Sequence, residues 1–329
     1  MHKSCNERKK TPSAISREIG VNQSTVSRLL TGLSVSSPDF ISTAKNFFGN
    51  RPVNFAVDDF GSARRYSVNT EGVSSIKDHS TKTFMKGITV VAGGLTDGTY
   101  FIPVDFEHWI AKFIMEDQFL TKPQLAMKLA QKMINSGFDI RHFVYDGLYF
   151  KQEFIEFLDD KNVKFVMKAK TTTSVKYKNK TMQLQDCPDL RLNDNQNCKK
   201  IRALWKKRFW YFIALRRSGK HGEKVIYLIA NFCVKTKIYG QTYDSRWTIE
   251  KFIRTGKQSL GLSNSQSTKA NTYLNHFRCV FWAYTILQFV MKKFKLSSAE
   301  DALRKVQTLK MNFSFNEMTD YISLLVNHA

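Results

Sequence analysis

Tyr243, Arg246, Glu250 and Lys257 stand at successive spacings of three, four and seven. At 100° per residue a helix gathers all four within roughly a 60° arc of one face. Their types suit phosphodiester chemistry. A carboxylate holds a hard cation, Arg and Lys hold phosphates, and a phenol donates or accepts a hydrogen bond.

The elements that must position this stripe lie upstream. PVNFAVDDF alternates apolar residues, as a strand does, and closes on Asp58 and Asp59. FMKGITVVAGGL and TYFIPVDF predict two further strands, joined by a hairpin turn at Thr96-Asp97-Gly98. A helix follows, with Pro123 in its first turn, Leu125, Leu129, Met133 and Ile134 along one face, and Gly137 at its end. RHFVYD predicts a fourth strand ending at Asp146, KQEFIEFLDD a second helix and NVKFVMKAK a fifth strand. Alternation of strand and helix implies parallel pairing there, with right-handed crossovers. About seventy residues separate the fifth strand from the Glu250 helix, and WKKRFWYFIALRRSGKHGEKVIYLIANF among them reads as β-hairpins.

Ahead of the first strand, residues 11–33 pattern as a helix-turn-helix. Ile15 and Ile19 supply one inner face, Gly20 the turn, and Val26, Leu29 and Leu30 the facing side. Ser24 or Thr25 would cap the second helix, leaving Gln23, Thr25 and Arg28 to reach base edges or phosphates. The expected organisation is a DNA-binding segment at 1–34, a linker or short helix at 35–52, a catalytic domain at 53–291 with a β insertion at about 171–240, and a helical segment at 292–329. Ser297-Ser298-Ala299-Glu300 reads as a capping box opening the last helix.

Charge points to a polyanionic partner. The chain has 51 Lys and Arg against 28 Asp and Glu, a formal charge of +23, which favours nucleic acid through counterion release. Five cysteines, without CxxC spacing, exclude a zinc framework and fit a reducing, cytoplasmic setting. The apolar run Cys279–Met291 is too short to span a bilayer and reads as a buried core helix. No Ser/His/Asp or Cys/His arrangement suggests a covalent nucleophile.

Y-x2-R-x3-E-x6-K, here YDSRWTIEKFIRTGK followed by QSLGL, is the signature of the IS4-type DDE transposases, and this segment resembles that family's helix. EGVSSIKDHSTKTFMKG after the first strand resembles the family's text, and VYDGLYF is similar to its apolar-apolar-Asp-x-x-Tyr. The resemblance covers roughly residues 53–291. It implies an α/β, ribonuclease H-like mixed sheet with a β-rich insertion before the last catalytic helix, together with the small N-terminal helix-turn-helix.

The resemblance further implies that Asp58, Asp146 and Glu250 are catalytic acids holding two Mg²⁺ or Mn²⁺ ions for in-line displacement at phosphorus. Family text places the catalytic Asp first in an Asp-Asp pair, which selects Asp58 and leaves Asp59 as the alternative. Phe60 stands where Thr or Ser is usual. Tyr243, Arg246 and Lys257 become groups that position transposon-end phosphates. In the insertion, ten basic residues lie between Lys199 and Lys224, interleaved with aromatics, and Trp210 is a candidate for stacking on an extruded base. The expected function is a transposase that binds terminal inverted repeats and performs strand cleavage and transfer on double-stranded DNA. A homodimeric synaptic complex, nucleoid association and no membrane attachment complete that expectation. The rivals are a DNA-binding regulator without catalysis and an inactive or domesticated copy.

Overall fold

The computed structural model describes residues 22–32, 37–65, 67, 69–77, 83–115, 119–219 and 222–310. Two helices lead, α1 (Gln23–Gly32) and α2 (Ser37–Phe48). Then come β1 (Val53–Ala63), β2 (Ser74–Lys77), β3 (Phe84–Thr96), β4 (Phe101–Trp109), the one-turn α3 (Lys112–Met115), α4 (Lys122–Asn135), β5 (Ile140–Tyr145), α5 (Gln152–Asp160) and β6 (Phe165–Ala169). The expected insertion supplies β7 (Ser174–Tyr177), β8 (Lys180–Gln183), β9 (Cys198–Trp205), β10 (Arg208–Gly219) and β11 (Gly222–Ala230). Four helices close the described chain: α6 (Thr236–Asp244), α7 (Trp247–Gln258), α8 (Ala270–Phe294) and α9 (Ala299–Lys310).

All eleven strands belong to one open mixed sheet, ordered β2-β3-β1-β5-β6-β11-β10-β9-β7-β8, with β4 also on β3. β1, β5 and β6 run parallel, as the alternation predicts. The β-rich stretch extends this same sheet, because β11 pairs antiparallel with β6. It also ends earlier than position 240, since α6 already begins at Thr236.

Period-two alternation gives β1 two distinct faces. Asn54, Asp58 and Phe60 look toward the C-terminal helices: Asn54 bonds Ser245, and the Phe60 ring meets Phe277 of α8 at 5.7 Å. Phe60 therefore serves packing, which accounts for an aromatic where the resembling family has a hydroxyl. Asp59 looks the other way, toward α4. Gly94, at the β3–β4 register shift, has no room for a side chain: an added Cβ would lie 2.2 Å from Phe101 Cζ and 2.7 Å from Ile102 O.

Several expectations need correction. Of the two readings of residues 35–52, the described part takes the helical one: α2 buries Phe40, Ala44, Phe47 and Phe48 in the main core, with Phe47 edge-on to Phe289 of α8 at 4.9 Å. Burial of such side chains stabilises by about 1.5–3 kcal/mol each, so α2 belongs to the same packed body as the sheet. In α1, Val26 is buried but Leu29 is 63% exposed, and the helix opens at Gln23, ahead of the proposed caps. The helix expected before it lies outside the described residues, as do residues 311–329. The last helix is capped by Ser298 with Asp301, whose backbone N–H reaches Ser298 Oγ at 3.1 Å, while Glu300 accepts from Thr255 instead. Among the described residues no helix is long and apolar enough to cross a membrane.

Candidate active site

Asp58 and Asp146 come together through strand register. β1 and β5 pair in parallel as far as Val57↔Tyr145, so the next residue on each strand is an aspartate, on the same face and about one strand spacing apart. β5 stops there because a 3₁₀ turn, Gly147–Tyr149, begins with Asp146 as its N-cap. β1 does not stop. It continues along β3 to Ala63, so Asp58 and Asp59 lie inside the strand rather than at its end.

The signature stripe is also not a single helix. Tyr243 ends α6, Arg246 is the N-cap of α7, and Glu250 and Lys257 lie within α7. Ser245 and Arg246 keep helical dihedrals, yet the bonds around them shorten to the i→i+3 type: Arg246 N–H to Tyr243 O at 3.1 Å, Thr248 N–H to Ser245 O at 3.2 Å. Hydroxyl back-bonds hold that tight turn. Ser245 Oγ donates to Thr242 O and Thr248 Oγ1 to Ser245 O, both at 2.7 Å. Asn54 pins the turn to β1, donating to Ser245 Oγ at 3.0 Å and facing His142 Nδ1 at 3.1 Å. Burial pushes His142 down to about 4, so its ring is neutral.

This anchored turn drives Arg246 into the space between the acids. Its Nη1 donates to Asp58 Oδ2 at 3.1 Å and its Nη2 to Glu250 Oε1 at 2.5 Å, with the side chain only 6% exposed. Tyr243 OH donates to Asp146 Oδ1 at 3.1 Å, and Lys168 Nζ lies 3.8 Å from the same oxygen. Lys257 is exposed, two turns further along α7, which is about 10 Å of helical rise from Glu250.

The two aspartates titrate in opposite directions. Burial pushes Asp58 up to about 7 against the pull of Arg246, with the charges of Asp59 and Asp146 adding to the rise. At Asp146 burial is outweighed by the Gly147 N–H, Arg246, Lys168 and Tyr243, and the carboxyl is held below its ordinary range. Asp59 takes no part in this cluster. Its Oδ2 is bonded to Lys122 Nζ at 2.6 Å on the opposite face of the sheet.

A divalent cation fits the chemistry of this donor set. Two partly buried carboxylates in register, one of them hard to ionise, are what a hard cation with oxygen preference would relieve. Among the described residues, however, no three acids, histidines or cysteines converge tightly enough to grip one ion. Here the width of the Arg246 guanidinium separates Glu250 from Asp58.

Trp210 is not available to a base. It is 1% exposed, its indole N–H donates to Trp205 O at 3.0 Å, and its ring packs against Phe165. Exposed aromatics among the described residues include Phe84, Phe209 under the Arg202 guanidinium, and Trp247, 53% exposed beside Arg246. Sequence reasoning missed Trp247, although it stands within the quoted signature. It also missed Asn54, whose signal was a polar residue four positions before Asp58 on the same strand face. Gln23, Thr25 and Arg28 are exposed on α1. That helix is fixed at its far end, where Asn275 and Asn271 of α8 donate to Leu30 O at 2.7 Å and Thr31 O at 2.9 Å.

No curated protein matches the chain. Residues 123–286 match the family described as the transposase DDE domain, a span that contains Asp146 and Glu250 and begins beyond Asp58. The match supports a DDE transposase, an enzyme class whose domains generally use divalent metal and act on DNA.

Proposed function

We propose that this protein is an IS4-type DDE transposase that binds the terminal inverted repeats of its element and performs strand cleavage and transfer with Asp58, Asp146 and Glu250. One observation carries the reading: two aspartates in parallel register face a signature segment whose Arg246, 188 positions from Asp58, joins it to Glu250. A purely binding protein would gain nothing from acids where phosphates must approach.

Asp58 and Asp146, with Glu250 beside them, are the residues that would hold Mg²⁺ or Mn²⁺. When bound, the metal supplies Lewis-acid stabilisation of charge at the attacking and leaving oxygens, with two ions expected. The protein's own groups do the positioning. Tyr243 and Lys168 keep Asp146 ionised, the exposed Lys257 offers a cation to DNA phosphates, as Arg246 would once released from Asp58 and Glu250, and Gln23, Thr25 and Arg28 on α1 approach the duplex. Asp58 is preferred to Asp59 because its carboxylate shares a face with Asp146.

Two protomers acting on two ends, and location with the bacterial chromosome, follow from the same reading. The test is incubation of the protein with its element's end DNA and Mg²⁺ or Mn²⁺, with products resolved on a denaturing gel. Nicked, hairpin or joined products that vanish in Asp58→Asn, Asp146→Asn and Glu250→Gln support it. Sequence-specific binding without metal-dependent products in the wild type would leave the regulator reading standing in its place.

A further inference from the structure

Arg246 is buried with both terminal nitrogens committed to acids. Its Nε has no hydrogen-bond partner, and its guanidinium lies 5.5 Å from the Tyr243 ring and 5.7 Å from the Trp247 ring. A side chain serving only to grip an incoming phosphate would be expected in solvent, with its donors uncommitted. We infer that Arg246 is the resident counter-ion of the acid cluster, bridging Asp58 and Glu250 in the metal-free protein and yielding their oxygens when a divalent cation binds.

The inference rests on the metal-binding reading of Asp58, Asp146 and Glu250, and it adds a competition to that reading. A guanidinium stays charged in proteins, so it cannot escape the conflict by losing a proton. Its planar fork spans two carboxylates at a fixed separation, whereas a cation needs oxygens turned inward on itself. Keeping both bonds and accepting a dication among the same oxygens places like charges in contact. Release has somewhere to go: the Tyr243 and Trp247 rings flank the guanidinium and stabilise a cation at their faces. Trp247 is exposed and Arg246 is not, so outward movement along these rings carries the charge toward the surface where DNA would lie. Arg246 would thus become available to a phosphate only once the acids are loaded.

The consequence is counter-intuitive for a residue of the site: removing it should improve metal binding by the DNA-free protein. The experiment is Mn²⁺ titration followed by electron paramagnetic resonance of the free ion, on the full chain without DNA. Wild type, Arg246→Met, Arg246→Lys and Asp58→Asn are compared at about pH 8, above the Asp58 titration. Expected is binding about tenfold tighter in Arg246→Met, with a smaller gain in Arg246→Lys, which keeps a charge but loses the fork. Asp58→Asn should weaken binding. Arg246→Lys, expected to fold more readily, keeps the test open should the methionine variant not fold. A second readout is Trp247 emission: Mg²⁺ should change it in the wild type, and the change should be lost in Trp247→Phe.

Asp58-dependent Mn²⁺ binding that is unchanged or weaker in both Arg246 variants overturns the counter-ion role while leaving the metal site intact. Absence of Asp58-dependent binding in every variant instead removes the metal reading itself, and the competition with it.

Discussion

Lys132 of α4 spans Asp105 and Glu107 of β4, each at 2.8 Å. Arg246 spans Asp58 and Glu250 at 3.1 and 2.5 Å. The two clusters have the same stoichiometry, one cation between two acids, but the Lys132 side chain is 47% exposed and that of Arg246 is 6% exposed. Around Lys132, burial works against the charge and the hydrogen bonds to both acids prevail, so its pKa rises. Around Arg246 burial likewise works against the cation and the neighbouring acids prevail, but here burial falls on an acid as well, and Asp58 ionises with difficulty. Solvent contact separates a surface brace from a cluster poised to exchange its cation.

The comparison can be broken most forcefully at the acids. Asp58→Asn should lower metal-dependent DNA cleavage by about 10³-fold or more, whereas Asp59→Asn, on the opposite face, should stay within about tenfold of wild type; electrostatic groups at a reacting centre typically carry effects of the larger size. A similar loss in both variants, measured on end DNA, would dissolve the distinction between the two faces of β1. The next largest effect is on stability. Arg246→Met leaves the partly buried Asp58 and Glu250 carboxylates without their shared cation and should cost about 1–3 kcal/mol in urea unfolding.

Acidity sharpens the contrast further. Asp58 is raised by burial from 3.8 to about 7, so between those values the folded chain holds a proton that the unfolded chain has released. The Asp58 contribution to stability therefore falls as pH rises from about 4 to about 7 and levels off above, opposed by His108 and His142, which burial lowers to about 4. Asp58→Asn should remove that contribution alone, so the stability of wild type relative to the variant should fall by a few kcal/mol across the window, measured by urea unfolding. Asn54→Ala, which cuts the tie between β1 and the Ser245 turn, should cost about 1–2 kcal/mol. It should also reduce cleavage without changing the fold, as judged by circular dichroism. Smallest of all, Lys132→Met should shift stability by about 1 kcal/mol or less; a loss matching that of Arg246→Met would show that exposure is not what distinguishes the clusters.

The strands that carry the aspartates were legible because their pattern is local: apolar alternation in PVNFAVDDF and a short apolar run before Asp146. The register that brings those aspartates side by side is a long-range property that no local pattern carries, and parallel pairing up to Val57↔Tyr145 accounts for it. The signature stripe was legible in its types and spacing but not in its bend, since the bend depends on Ser245 and Thr248 hydroxyls turning back on the backbone and on Asn54 arriving from a distant strand. Trp210 misled for a related reason. An aromatic next to basic residues reads alike whether its strand face meets solvent or core, and only the β10 pairing decides which. Residues 35–52 carried Phe40, Phe47 and Phe48 at helical spacing, but Ser36, Ser37 and Pro38 dominated the reading as a break.

The central sheet also constrains when the acid cluster can be complete. β6 acquires its antiparallel neighbour only when β11 has been made, more than fifty positions later, and Arg246 meets Asp58 across 188 positions. Translation runs from Asp58 toward Glu250, so an interrupted or prematurely terminated product owns aspartates but lacks the segment that completes the cluster. Partial polypeptides released by the ribosome would thus lack the complete acid cluster, and without α8 they would also lack Asn271 and Asn275, which hold the end of α1.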